Sequence, residues 1–202
     1  MLEKTYDFFA VGLSYKNSDA DTRGNFSLDD HRQHALFLDA KETNIKDLII
    51  INTCNRTELY AWSQDAEILK DLLCKHSEGN KILFDQVGYC LKDEKAFNHL
   101  FRVGTGLESQ ILGDFEIIGQ IKQGFFRSKK MGLAQGYLER LTNAVIQASK
   151  RIKNETKISS GATSVAFASV QYILNNVENT SKKNILLFGT GKIGANTCEN
   201  LV

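Results

Sequence analysis

The chain has 202 residues, a formal net charge of +1 and 42% hydrophobic residues, which is enough apolar content for a globular core. No apolar run approaches the ~18–20 residues that a membrane-spanning helix needs, and no cleavage pattern follows the N-terminal segment, so the sequence argues against membrane and secreted proteins. The four cysteines lack CxxC or zinc-like spacing, which predicts a reduced, cytoplasmic chain without a metal site.

The first 90 or so residues mix strand-like and helix-like patterns. Apolar or alternating runs predict four strands, over 6–13, 48–52, 57–62 and 82–90. Helical spacing predicts helices over 28–43, with Ser27 as the cap, and over 66–76, and a polar composition predicts a loop over 16–25. Residues 55–58 also fit a capping box, so a helix after Arg56 is the alternative to a strand there. The mixture predicts an α+β unit.

Residues 94–176 carry a helical pattern that glycines interrupt. Within this region, long helices are predicted over 133–157 and 163–177. A buried strand is predicted over 184–188 (NILLF), and it runs into the turn GTGKIG. Such a turn belongs to a βαβ unit of about 30 residues or more, yet only eight residues follow Gly194. We therefore expect this chain to be a fragment of a longer protein.

Cys54 is the first candidate for chemistry. It directly follows a predicted buried strand, at a turn, where catalytic groups are often presented. Arg56 places a positive charge within reach, which favours thiolate over thiol. The competing interpretation is a small buried residue with a packing role, which fits Cys74, Cys90 and Cys198 better.

A second candidate group begins at a histidine. On a helical wheel, five residues recur at steps of three and four: His99, Arg102, Gly106, Ser109 and Gly113. This spacing predicts one polar face whose glycines leave room for a close approach. A histidine on such a face can act as an acid, a base or a polariser near neutral pH. An ordinary surface or core histidine is the alternative interpretation.

The turn GTGKIG fits a nucleotide-binding fingerprint. Its glycines allow a tight turn and a close backbone approach to a pyrophosphate at the N-terminus of the following helix. The predicted cofactor contacts are Gly189, Thr190, Gly191, Lys192, Ile193 and Gly194. The residue that selects NAD or NADP in such units would lie beyond Val202.

Positive charge is concentrated in one segment. Residues 122–157 contain nine Lys or Arg against two acidic residues, although the whole chain carries only +1. This block predicts a surface that contacts the phosphates of a nucleic acid, and solvated helix faces are the alternative.

Taken together, these residues closely resemble the glutamyl-tRNA reductase family, the first committed enzymes of the C5 route to tetrapyrroles such as haem and other porphyrins. The segment 53–60 (TCNRTELY) matches that family's signature almost letter for letter. The resemblance continues through 99–103, 106–109, the region of Gln120, 161–165 and the nucleotide turn, so it covers essentially the whole chain. Where the family usually has Gly-Glu-Pro-Gln-Ile, this chain has Gly-Asp-Phe-Glu-Ile at 113–117.

The resemblance implies a fold and an assembly. The fold is an α+β N-terminal catalytic domain with an appended helical region, followed by the truncated start of a Rossmann-type α/β domain. The implied boundaries are 1–160 for the catalytic domain, 161–180 for a spinal connecting helix and 181–202 for the start of the NADPH-binding domain. The family also implies a cytoplasmic homodimer formed through a C-terminal domain, with glutamate-1-semialdehyde aminomutase as a further partner.

The resemblance further implies a reaction. Cys54 attacks the ester that joins glutamate to tRNA, and hydride from NADPH reduces the resulting thioester to glutamate-1-semialdehyde. Arg56 would hold the side-chain carboxylate of the substrate, and His99 would act as polariser or proton donor. The implied glutamate pocket consists of Thr53, Asn55, Arg56, Ser109, Asp114, Phe115, Glu116 and Gln120. We expect this chain to acylate Cys54, to bind NADPH poorly and to act as a weak esterase.

Two other classes of protein compete with this interpretation. A cysteine-dependent aldehyde dehydrogenase also uses a thioester and a nicotinamide cofactor, but here 135 positions separate Cys54 from Gly189 and the basic block would be unexplained. A non-catalytic tRNA-binding or regulatory module is the other class. It predicts that Cys54 reacts no faster with thiol reagents than Cys74 or Cys90.

Overall fold

The fold is built around a four-stranded antiparallel sheet in a computed structural model that describes residues 5–156, 158 and 165–201. The strands are β1 (Asp7–Ser14), β2 (Asp47–Thr53), β3 (Arg56–Ser63) and β4 (Tyr89–Lys92). Their spatial order is β2-β3-β1-β4, so β2 and β4 are the edges. The α+β class predicted for this part of the chain is confirmed.

Nine α-helices and a short 3₁₀ helix (Thr180–Lys182) complete the described part of the chain. The α-helices are α1 (Ala20–Asn25), α2 (Asp30–Lys41), α3 (Ala66–His76), α4 (Lys81–Val87), α5 (Glu94–Gly104), α6 (Glu116–Lys130), α7 (Gly136–Glu155), α8 (Val165–Asn176) and α9 (Lys192–Leu201). Short polar side chains start several of them: Asp29 accepts a hydrogen bond from the Arg32 N–H at 2.8 Å, and Asp65 and Asn80 cap α3 and α4 in the same way. No helix over the described residues is both long and apolar enough to span a bilayer.

Helices cover both faces of the sheet. On one face, the buried side chains of α2, α3 and α4 form a first core, which includes Leu48 and Ile50 of β2. On the other face, α5, α6 and α7 form a second core, which includes Ile49 and Ile51. Because successive strand residues point to opposite faces, burial of both faces explains the continuous apolar run of β2. The same alternation directs Arg56, Glu58, Tyr60 and Trp62 of β3 to the second face.

The segment after Arg56 is a strand, as predicted. All eight residues of β3 pair with β1, from Arg56 opposite Ser14 to Ser63 opposite Asp7, and β3 also pairs with β2. The alternative of a capped helix starting at residues 55–58 is wrong, because the backbone groups that a helix would use are taken by two neighbouring strands.

Several local predictions are corrected by the structure. The predicted strand 82–90 begins as α4, which packs Phe84 into the first core, and only its last two residues belong to β4. The predicted loop 16–25 contains α1, and Asp29 rather than Ser27 caps α2. The long helix α7 begins at Gly136 rather than 133, because the Leu133 carbonyl accepts the Leu48 N–H of the edge strand at 2.8 Å.

The predicted buried strand 184–188 is wrong. Residues 183–190 have no regular secondary structure, and Leu186 and Phe188 are 91% and 101% exposed. A strand is stabilised by backbone hydrogen bonds to a neighbouring strand, and no strand pairs with 184–188 within the described ranges. Just before this segment, α8 occupies 165–176 of the predicted helix 163–177, of which 163 and 164 lie outside the described residues.

Gly124 controls the contact between α6 and the edge strand β2. A Cβ atom at this position would lie 2.5 Å from the main-chain oxygen of Ile50. We expect Gly124→Ala to lower the free energy of unfolding by about 1–2 kcal/mol, because forced separation of α6 and β2 outweighs the better helix propensity of alanine. Urea denaturation measures this change.

Gly119 on the same helix provides a matched control. An added Cβ would meet nothing within 4 Å there, so Gly119→Ala should raise the free energy of unfolding by roughly 0.5–1 kcal/mol through propensity alone. A stabilising effect of both substitutions would show that α6 does not depend on this close approach.

Candidate active site

Cys54 lies at the tip of the hairpin that joins β2 to β3. The last pair of the ladder is Thr53 opposite Arg56, so Cys54 and Asn55 form the turn. The Thr53 hydroxyl accepts hydrogen bonds from the N–H groups of Asn55 and Arg56, both at 3.1 Å, and the Tyr15 N–H donates to the Asn55 carbonyl at 2.9 Å. These contacts brace the turn and leave Cys54 exposed.

A buried carboxylate lies behind this hairpin. Glu58 is fully buried, and its oxygens accept hydrogen bonds from Arg56 Nη1 at 2.9 Å and from the Tyr60 hydroxyl at 2.7 Å. His99 Nε2 lies 3.0 Å from the same carboxylate, and the Tyr89 hydroxyl also donates to it. Donors from β3, β4 and α5 therefore converge on one side chain.

The charge of this cluster follows from its contacts. Burial by itself would raise the pKa of Glu58, but the Arg56 charge and the His99 hydrogen bond outweigh burial and lower the pKa from 4.5 to about 2. Burial and the neighbouring carboxylate raise the pKa of Tyr60 and Tyr89, so both phenols stay neutral donors. Because an ionised carboxylate can only accept, the hydrogen shared between Glu58 and His99 belongs to His99 Nε2.

Arg56 also connects the hairpin to the loop between α5 and α6. Its side chain is 3% exposed, and Nη2 donates to the main-chain oxygen of Glu108. The Glu108 carboxylate pairs in turn with Lys16 and, at 2.6 Å, with Arg102. Burial opposes ionisation of Glu108, but these two cations outweigh it and lower its pKa.

The loop of residues 105–115 replaces the continuous polar helix face that the sequence predicted. Helix α5 ends at Gly104, so only His99 and Arg102 of that face are helical. Gly106 and Gly113 have φ angles of +74° and +81°, which favour glycine, and the Gly113 N–H donates to the Gly106 carbonyl at 3.0 Å. These two glycines close the loop on itself instead of forming a notch along a helix.

The remaining residues of the predicted glutamate pocket follow this loop. Ser109 is half-buried within it, and its N–H donates to the Gly106 carbonyl at 3.4 Å. The Asp114 carboxylate accepts the Glu116 N–H at 3.0 Å, while Phe115 stands at the N-cap of α6. Gln120 is exposed one turn further along α6.

The structure brings several predicted site residues together and leaves one group apart. Thr53, Asn55, Arg56 and His99 are connected through the hairpin and Glu58, and the loop that carries Ser109 is tied to Arg56. The glycine-rich turn instead begins α9, which packs against α8. Sequence reasoning missed Glu58, Tyr89 and Glu108. Two signals for Glu58 were its place in the signature 53–60 and its position as an acidic residue on the inward-facing side of a predicted strand.

The glycine-rich turn follows a segment that forms no strand, and two of its glycines occupy positions that a side chain would disturb. Gly189 has a φ of +131°, and a Cβ at Gly194 would collide with the Gly189 carbonyl. A cavity of about 530 Å³ adjoins Gly189, Gly191 and Gly194. A cavity bordered by glycines at the N-terminus of a helix has the size and backbone donors that a phosphate group would need. Within the described residues, no group of three or more His, Cys, Asp or Glu side chains could hold a metal ion.

Comparison with known proteins gives this geometry a context. Residues 11–156, which contain the hairpin, the Glu58 cluster and the 105–115 loop, match the family model "Glutamyl-tRNAGlu reductase, N-terminal domain". A curated glutamyl-tRNA reductase of Christiangramia forsetii is 60% identical over 195 residues, which is 96% of this chain and 47% of the relative. The glutamyl-tRNA reductase of Flavobacterium psychrophilum is 58% identical over 201 residues, which is 100% of this chain and 49% of the relative.

A solved structure agrees with these relatives. Glutamyl-tRNA reductase from Methanopyrus kandleri superimposes with a TM-score of 0.72 at 26% identity, covering 98% of this chain and 47% of that chain. The chain thus spans about half the length of the relatives that it matches. On the family model and the fold, it belongs to the glutamyl-tRNA reductase family.

Proposed function

We propose that this chain carries the acyl-transfer site of an NADPH-dependent glutamyl-tRNA reductase. The observation that supports the proposal is an exposed Cys54 on a braced hairpin, two residues before an arginine that pairs with the buried Glu58–His99 couple. An exposed thiol at this turn would be accessible to a large acyl-tRNA, and the charged groups next to the hairpin are held in position by Glu58.

In the proposed first step, the Cys54 thiolate attacks the ester carbon of glutamyl-tRNA. A sulfur–carbon bond forms and the carbon–oxygen bond to the terminal ribose breaks. The released ribose oxygen takes up a proton, which balances the one that the Cys54 thiol lost on forming the thiolate. Cysteine suits this step because its thiolate is intrinsically a strong nucleophile. His99, which is 15% exposed and oriented by Glu58, would polarise the carbonyl or supply the proton.

Arg56 is proposed to recognise the side-chain carboxylate of the substrate. Its guanidinium has five N–H donors, and hydrogen bonds within the described residues to Glu58 and to the Glu108 main chain use two of them. Thr53, Asn55, Ser109 and Gln120, with the 114–116 segment, are proposed to line the rest of the glutamate pocket.

The second step would consume the thioester. When bound, NADPH would supply the hydride that converts the thioester to glutamate-1-semialdehyde and releases the Cys54 thiol. In this chain, the main-chain N–H groups of residues 189–194 would hold its phosphates. Without NADPH, water would hydrolyse the thioester slowly, and the protein would act as a weak esterase.

The organisation of the whole enzyme is proposed on the same basis. The catalytic domain would span 1–160, the spinal helix 161–180 and the start of the NADPH-binding domain 181–202. A homodimer, an association with glutamate-1-semialdehyde aminomutase and a cytoplasmic location complete the proposal. All four cysteines are free thiols, which is consistent with a reducing compartment.

Transfer of glutamate to Cys54 can be tested directly. Incubation with tRNA that carries labelled glutamate, in the absence of NADPH, should leave label on the protein that hydroxylamine releases. Cys54→Ser should abolish this label, while Cys198→Ser, at an exposed cysteine of α9, should retain it. Label on wild-type protein and Cys54→Ser alike, or on neither, would contradict the proposed nucleophile.

A separate measurement addresses the non-catalytic alternative. Burial raises the pKa of the Cys74 thiol, whereas Cys54 is exposed at a turn. We expect iodoacetamide to alkylate Cys54 at least tenfold faster than Cys74, since thiolate fraction and access set the rate. Mass spectrometry of the two cysteine-containing peptides over time measures both alkylation rates. Equal rates would favour a binding module with an incidental cysteine.

The Glu58 cluster predicts a specific dependence of stability on pH. The folded pKa of about 2 lies below the ordinary value of 4.5, so ionised Glu58 stabilises the fold fully above pH 4.5 and loses this contribution as pH falls towards 2. Glu58→Gln should lower the free energy of unfolding at pH 7 by about 3 kcal/mol, because Arg56 is left buried without its partner. Urea denaturation at pH 7, 4.5 and 3 measures both effects.

The Glu58→Gln variant should also lose part of the dependence of its free energy of unfolding on pH between pH 4.5 and 2. Glu42→Gln, at an exposed glutamate that follows α2, serves as the control and should behave like wild type. If Glu58→Gln kept the full wild-type slope, the buried carboxylate would not be the group that couples folding to pH in this range.

A further inference from the structure

A groove runs between α2 and α6 beside the edge strand β2. On α6, four polar residues recur at steps of three and four and therefore share one face: Gln120, Gln123, Arg127 and Lys130. Opposite them, Gln33 and Phe37 belong to α2. The cleft contains two cavities of about 140 and 230 Å³, which share Gln33 and Arg127 as lining residues. Arg127 Nη1 donates a hydrogen bond to Gln33 Oε1 at 2.8 Å and so links the two helices where the cavities adjoin. We call this cleft the α2–α6 groove.

The inner end of the α2–α6 groove lies next to the candidate nucleophile. The smaller cavity is lined by Asn52 and Gln120. Asn52 precedes Cys54 by two residues, and its side-chain oxygen accepts the Thr57 hydroxyl across the same hairpin at 2.8 Å. The inner end of the groove is therefore two residues along β2 from Cys54.

The outer end combines an apolar floor with positive charge. Phe37 and Met131 line the larger cavity together with Arg127 and Lys130. Lys130 is exposed and makes no ion pair within residues 5–156, 158 and 165–201. Arg127 pairs at 3.0 Å with Asp30, which is 85% exposed, and such surface pairs exchange readily for another anion.

These features match the chemistry of single-stranded RNA. Apolar floors accept the faces of unpaired bases, cationic side chains contact the phosphates, and amides such as those of Gln120 and Gln123 hydrogen-bond to base edges. An uncharged peptide would leave Lys130 at the rim without an anion, whereas every nucleotide supplies one. The groove also belongs to the segment 122–157, in which nine cations face two acids.

We propose that the α2–α6 groove binds the unpaired 3′-terminal strand of the acyl-tRNA. The terminal nucleotide would deliver its ester to Cys54, and the nucleotides before it would run outwards past Gln123 to Arg127 and Lys130. This inference rests on the proposed function and adds to it the path along which the RNA approaches the thiol.

The test compares two RNA hairpins of identical stem, one with an unpaired 3′ CCA end and one blunt. Fluorescence anisotropy of the wild-type chain should show tighter binding of the CCA hairpin. Two variants perturb the groove: Lys130→Glu reverses a charge, and Gln123→Trp fills the groove without a change of charge. Each should weaken binding of the CCA hairpin on the order of tenfold, with little change for the blunt hairpin. Circular dichroism verifies that both variants are folded.

Lys95→Glu is the matched control, because Lys95 is exposed on α5, which packs against β1 and β4 rather than β2. It should bind both hairpins as wild type does. The Lys130→Glu variant should also reduce the slope of log Kd against log salt by about 0.7 for each lost phosphate contact. Unchanged binding by Lys130→Glu and Gln123→Trp, or equal weakening of both hairpins, would overturn the proposal.

A second assay keeps the two proposals distinguishable. Acylation of wild-type Cys54 by a small-molecule thioester of glutamate requires the nucleophile but no RNA. If Cys54 is acylated but the chain shows no preference for the CCA hairpin, the proposed RNA binding in the groove is refuted and the proposed function stands. Preference for the CCA hairpin without acylation would retain the groove as an RNA site and refute the nucleophile.

Discussion

The ionised Glu58 carboxylate is the constraint on which the arrangement around Cys54 depends. A carboxylate without contact with water is strongly destabilising unless charge and hydrogen bonds compensate its lost hydration. Compensation here comes from Arg56 and Tyr60 on β3, Tyr89 on β4 and His99 on α5. Because the donors come from three elements, satisfying one side chain also fixes the positions of two strands and a helix.

This arrangement separates the roles of the site. The thiol stands at the exposed tip of a hairpin, whereas Arg56 and Glu58 are held away from solvent. Arg56 belongs to both layers, since it pairs with Glu58 and also donates to the main chain of the 105–115 loop. The loop is held from its other side by Lys16 and Arg102 through Glu108. The hairpin, α5 and the loop consequently form one connected framework.

The α2–α6 groove lies outside this framework yet begins beside it. Gly124 allows α6 to lie directly against the edge strand β2, and the polar face of α6 is thereby turned towards α2. Gly124 and Ile50 also line the smaller cavity of the groove, so the close approach of helix and strand borders the groove itself. Packing at one glycine connects the stability of the fold to the proposed path of the RNA.

Local patterns predicted much of the fold. Strands β1, β2 and β3 and helix α3 follow from runs of apolar residues and from caps that lie within a few positions of the elements they define. Prediction failed where contacts between residues far apart in the sequence determine the secondary structure. Residues 82–87 form a helix that packs Phe84 into the first core. Residues 184–188 form no strand because no neighbouring strand pairs with them among the described residues. The helical wheel after His99 failed because two glycines with positive φ close a loop.

By itself, the sequence determined the α+β class, the hairpin that carries Cys54 and the resemblance of residues 53–60 to a known family, because each depends on residues that are adjacent in the chain. Only the tertiary structure decided that Glu58 accepts hydrogen bonds from Arg56, Tyr89 and His99. Tyr89 and His99 lie 31 and 41 positions from Glu58, and Glu108 lies 52 positions from Arg56. Such contacts form when strands pair and helices pack, and no periodicity within a short window encodes them.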